Sequence, residues 1–117
     1  MDNTLIFKIF QKFEGAYADT TIRAYQKNIT TYTDFCTVYD YPVLPTSTEA
    51  IVHFINHLVE QELSAFYIRR HLTAIAHIHR MTKHKDPTQD PDVKIALRRA
   101  FRQRGRYQRQ AYPIGGA

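Results

Sequence analysis

Apolar residues at Ile22, Tyr25, Ile29, Tyr32, Cys36 and Tyr39 step along the chain by three or four, which places them on one face of a helix of about five turns. Asp19 or Thr20 is the expected N-cap. Pro42 sets the end, because it disfavours helical geometry in Tyr41 and supplies no N–H. Thr46-Ser47-Thr48-Glu49 then reads as a capping box with Thr46 as the cap. It opens a second helix with Ile51, Phe54, Ile55 and Leu58 inward. Ser64 caps a third, whose stripe is Ile68, Leu72, Ile75 and His79. After a break around Pro87, Asp90-Pro91 starts a last helix on Val93, Leu97, Ala100 and Phe101, expected to dissolve into 102–109. A short amphipathic stretch, Thr4–Gly15, precedes them all. Nothing alternates with the period of two that a strand requires. The pattern predicts an all-α domain of four main helices, with a short extra helix at its N-terminus.

Length and composition narrow the picture. At 117 residues, 44% hydrophobic and 23% charged, the chain suits one small globular domain. No apolar run reaches the ~20 residues of a membrane span, so no membrane partner is expected. Met1 to Phe10 lacks the basic start and cleavage pattern of a signal peptide. The single cysteine, Cys36, cannot form an internal disulfide, which points to a reducing, cytoplasmic setting. The net charge of +5 hides an asymmetry. Residues 1–62 carry 4 Lys/Arg against 8 Asp/Glu, whereas residues 63–117 carry 12 against 3. A basic half on a folded domain is the electrostatic footprint of a polyanion binder.

Two helix openings give that charge a location. Ser64-Ala65-Phe66-Tyr67-Ile68-Arg69-Arg70 combines a cap, two early arginines and an apolar stripe behind them. Asp19-Thr20-Thr21-Ile22-Arg23-Ala24-Tyr25 repeats the design. Helix starts that offer hydroxyls and guanidinium groups while anchored on a core suit a surface meeting phosphates and base edges.

The order of these signals resembles the N-terminal core-binding domain of the tyrosine recombinases, the phage-integrase family. The resemblance rests on Thr21–Tyr25, Phe35-Cys36, Leu44-Pro45 with the following cap, Ile51 to Leu58, Ser64 with Ile68 and Leu72, and Ala74-Ile75. His79-Arg80, Asp86-Pro87-Thr88, Leu97-Arg98-Arg99 and Arg109-Gln110-Ala111 complete it, over residues 16–112. It implies a SAM-like, four-helix orthogonal bundle forming one half of a clamp on double-stranded DNA at a recombination half-site. Its domains would be an N-terminal arm or short helix at 1–15, the DNA-binding domain at 16–107 and a linker at 108–117. Sister recombinase protomers in a tetramer are the further implied partners.

By the same resemblance, Thr20, Arg23 and Lys27 occupy DNA-facing positions of the first long helix, and Phe66, Tyr67, Arg69 and Arg70 those of the third. Arg80, Arg98 and Arg99 join them as basic contacts. An arginine can reach a guanine edge with two bonds or grip a phosphate, and Tyr67 can donate to a phosphate or pack on sugar. Phe66 stands where the family commonly has a polar or basic residue, and Glu60-Gln61-Glu62-Leu63 replaces the usual glycine turn. The family's catalytic tyrosine, arginines, lysine and histidines belong to a separate domain, so this chain is expected to be no enzyme by itself and to need no cofactor.

Other chemistry is thinly supported. Eight tyrosines lack the cations and general base that a phenol near pKa ~10 needs to attack a phosphodiester. Tyr25, Tyr32 and Tyr39 read as core. His53 and His57, one turn apart, lack a third metal ligand nearby in sequence. His79 and Cys36 fall on buried stripes as a hydrogen-bonded core histidine and inert packing. Arg98, Arg99, Arg102, Arg104 and Arg106 suit sequence-independent phosphate contacts. Two alternatives remain: a stand-alone helix-turn-helix regulator, which would dimerise on two half-sites, and a helical protein-interaction module with an incidental basic tail.

Overall fold

The computed structural model describes the backbone of residues 8–111 and the side chains of residues 8–103. Four long helices carry the fold: α1 (Asp19–Tyr39), α2 (Thr48–Glu60), α3 (Ala65–Met81) and α4 (Pro91–Ala111). A helical turn at residues 8–11 precedes them, and a 3-10 turn, Pro87–Gln89, links α3 to α4. Among the described residues there is no strand, only two isolated bridges in the connections. The all-α expectation holds. No described helix is long and apolar enough to cross a membrane.

The inward stripes of α2 and α3 are buried as the pattern predicts. Ile51, Phe54, Ile55 and Leu58 meet Ile68, Leu72, Ile75 and His79 in one core. Phe54 is its centre, with ring centroids 4.8 Å from Tyr32, 5.0 Å from Phe35 and 5.8 Å from His71. α2 lies mainly against α4, and α1 against α3. Ile9, Phe10 and Phe13 of the N-terminal segment are buried in the same core. Phe13 anchors a second aromatic group with Tyr17, Tyr25 and His77.

Several details differ from the sequence reading. The cap of α2 is Ser47, whose side chain accepts from the Ala50 N–H, and Thr46 is buried just before it. Thr46 has another task, because its hydroxyl bonds the Tyr32 hydroxyl and its N–H donates to His79 Nε2 at 2.9 Å. At the start of α1, Ala18 occupies the cap position without a side-chain bond, so neither Asp19 nor Thr20 caps it. Asp19 lies in the first turn, where its charge complements the helix dipole. Tyr39 is 46% exposed rather than core, and lies over Phe35 and His53 at the helix end. A stripe stepping by 3.5 drifts around a helix of 3.6 residues per turn, so its last member leaves the core face. Tyr25 is only half-buried.

Ser64 does cap α3, accepting from the Tyr67 N–H at 3.3 Å. Asp90 receives the Asp92 N–H at 2.9 Å, as the Asp-Pro start of α4 predicts. The α4 backbone does not dissolve at 102 but stays helical through Ala111. Arg, Gln and Ala favour helix, and the single Gly105 costs only about 1 kcal/mol. Residues 1–7 and 112–117, with parts of the expected N-terminal stretch and linker, lie outside the described residues, as do the side chains of Arg104 and Arg106.

Candidate nucleic-acid interface

The outer side of α3 forms a ridge that carries Phe66, Tyr67, Arg69, Arg70 and Arg80 of the sequence-predicted residues. With ~100° of turn per residue, Arg69, Thr73 and Arg80 align along one edge of that ridge, and Arg70 lies about 100° round from Arg69. The two adjacent arginines therefore diverge. The Arg70 guanidinium lies over the Phe66 ring, 5.5 Å from its centroid. That of Arg69 reaches the opposite way, over Phe101 of α4 at 4.9 Å. A guanidinium laid on a ring is oriented without using up its hydrogen-bond donors.

Each edge borders a groove. Between α1 and α3, Lys27 and Thr31 face Phe66, Tyr67 and Arg70 across a recess of about 510 Å³. Phe66 and Tyr67 are 61% and 55% exposed, an unusual outlay of aromatic surface unless something covers it. Thr20 and Arg23 are exposed earlier along α1. The structure thus brings Lys27, Phe66, Tyr67 and Arg70 together, with Thr20 and Arg23 on the helix that forms the groove's other wall.

His71 and Asn28 line the same recess and were not singled out from the sequence. The tautomer of His71 follows from its partner: only Nδ1–H can donate to the Tyr67 carbonyl, 2.7 Å away, leaving Nε2 as an acceptor. Burial lowers its pKa, and the charges of Arg70 and Lys27 push in the same direction against that hydrogen bond. A polar residue following two arginines was the only available signal.

Between α3 and α4 runs a larger cleft of about 700 Å³, lined by Arg69, Arg80, Lys94, Arg98 and Arg102 over Leu72, Leu97 and Phe101. Among the described residues that line it the one acidic group is Asp86, which bonds Arg80 at 3.0 Å. Asp86 is itself well organised. Partial burial raises its pKa, but the hydroxyl and N–H of Thr88, Gln89 and Arg80 together outweigh that and lower it. Lys94 was missed, although the spacing of Lys94, Arg98 and Arg102 by four places them on one α4 face.

Arg99 is not brought to either groove. It lies at the α2–α4 recess with Glu49 and Asp92. His53 takes part in the aromatic cover of Phe35 and bonds the Tyr41 hydroxyl through Nδ1 at 3.0 Å. Among the described residues no group of three His, Cys, Asp or Glu is placed to hold a metal. His79 and Cys36 are fully buried, as their stripes predict.

Comparison with known proteins adds an independent observation. No family model matches the chain. It is 31% identical over 113 residues, 94% of its length, to a protein of Selenomonas ruminantium described as "Integrase/recombinase xerD homolog". The chain spans about a third of the length of that curated relative. The likeness runs almost end to end through the chain and takes in all four of its long helices.

Proposed function

We propose that this chain is a DNA-binding core-binding domain of a tyrosine site-specific recombinase, and that it holds a recombination half-site through α1 and α3. The observation that carries the reading is the α1–α3 groove, where Lys27, Phe66, Tyr67 and Arg70 come together from two helices. Similarity to the integrase/recombinase of Selenomonas ruminantium supports the same assignment. Arginine supplies bidentate contact with guanine or phosphate, the aromatic rings pack on sugar and on the thymine methyl group, and Lys27 adds phosphate attraction. The chain's share in such an enzyme is recognition and positioning of DNA and contact with sister protomers, while strand cleavage and rejoining belong to catalytic groups elsewhere in the enzyme.

Selection of bound duplexes from a randomised pool, followed by titration at several salt concentrations, tests this. The affinity should fall steeply with salt, since each phosphate contact releases counterions. Arg70→Glu should weaken binding to the selected half-site by about 1–3 kcal/mol. Equal affinity for wild type and variant would eliminate the proposed face. A stable dimer on two half-sites would favour a helix-turn-helix regulator instead.

A further inference from the structure

We infer that the α3–α4 cleft is a second DNA contact, a grip on the phosphates of the strand opposite to the one held at the α1–α3 groove. The inference rests on the proposed DNA-binding reading and deepens it. A helix with its side chains is about 10–12 Å across, and the major groove of B-DNA is about 12 Å wide, so a helix ridge seated there has one strand on each side. The ridge of α3 has one recess on each side: Lys27 and Arg70 face the first, and Lys94, Arg98 and Arg102 border the second.

The α4 cations form a stripe suited to a backbone rather than to base edges. Lys94, Arg98 and Arg102 recur every fourth residue and are exposed. None of the three has a carboxylate partner among the described residues. The stripe is about 12 Å long, on the scale of a few successive phosphates of one strand. Arg69, held over Phe101, links the ridge to this wall. The consequence is a division of labour: the α1–α3 groove sets sequence preference, while the α4 stripe supplies affinity without preference.

The test uses the whole chain with three substitutions together, Lys94→Gln, Arg98→Gln and Arg102→Gln, and a labelled duplex carrying the selected half-site. Affinity is followed against potassium chloride, beside a mixed-sequence duplex. The slope of log affinity against log salt should become shallower by about 3, one for each lost contact, with the ratio between the two duplexes retained. Arg99→Gln, the neighbour on the other edge of α4, should leave the slope unchanged. An unchanged slope in the triple variant, or an equal loss per residue in Arg99→Gln, overturns the inference. If wild type binds steeply and Arg70→Glu weakens it while the triple variant matches wild type, only the second contact fails. If wild type shows no salt-dependent binding, both readings fall.

Discussion

Helix α3 carries a fully satisfied polar knot on its inner side and an open cationic ridge on its outer side. His79, 0% exposed, donates from Nδ1 to the Ile75 carbonyl at 2.8 Å, so Nε2 can only accept, and it takes the Thr46 N–H. Thr46 in turn bonds Tyr32. Both imidazole nitrogens have partners, and the knot ties α1, α3 and the entrance to α2. On the outer side, Arg69 and Arg70 rest on Phe101 and Phe66 while their donors stay available. The difference teaches how to read polarity on one helix. A buried polar group must find its partners inside the protein, because an unmade hydrogen bond there costs about 1–3 kcal/mol, whereas an exposed guanidinium loses little by waiting for a ligand.

Substitution on the two sides should therefore have opposite signatures. His79→Ala combines a cavity with an unpaired Thr46 N–H, and should lower unfolding free energy by about 3–5 kcal/mol in urea denaturation. A loss under 1 kcal/mol would show that the knot is incidental.

Acid should erode the inner side next. Burial lowers the pKa of His79, and also those of His71 and His77, from the ordinary 6.5. Unfolded histidines then bind protons before folded ones do. Stability is fully present above about pH 6.5 and falls as pH drops from there toward the depressed folded values. Asp86, also lowered, contributes a separate loss below its ordinary 3.8. Thermal melts across this range should show the first decline in wild type and a smaller one in a His79→Gln variant.

The smallest effect belongs to the outer side. Arg69→Ala gives up its ring contact with Phe101 and should cost only about 0.5–1 kcal/mol of stability. Arg70→Ala should act similarly through Phe66. A loss of several kcal/mol from either would mean that the ridge is structural and would blur the contrast.

Much of the fold was legible because the predicted stripes of α2 and α3 are all buried, and that of α2 covers nearly its whole buried face. Ile51, Phe54, Ile55 and Leu58 show one periodicity and one burial. α1 was harder. It packs against both α2 and α3, so its buried face widens to include Asn28, Thr33 and Phe35, outside the 22–39 stripe. Thr33 Oγ1 has no hydrogen-bond partner among the described residues, which no sequence pattern announces. The cap of α2 shifted by one residue because Thr46 is recruited by Tyr32 and His79, residues distant in sequence. Among the candidate site residues, Arg69-Arg70 and Arg98-Arg99 are pairs of neighbours in the sequence. Each pair is divided in space, since adjacent helical residues lie about 100° apart.

The sequence by itself determined the helices, most of their inward faces, the concentration of positive charge in the second half and the cap at Ser64. These are local properties, written in spacing and residue type. Only the tertiary structure decided which cations act together. Packing α3 between α1 and α4 sets Lys27 beside Arg70 and gathers Arg69 with Lys94, Arg98 and Arg102, while turning Arg99 toward α2. The grouping follows from long-range contacts between helices, whose geometry no local pattern contains.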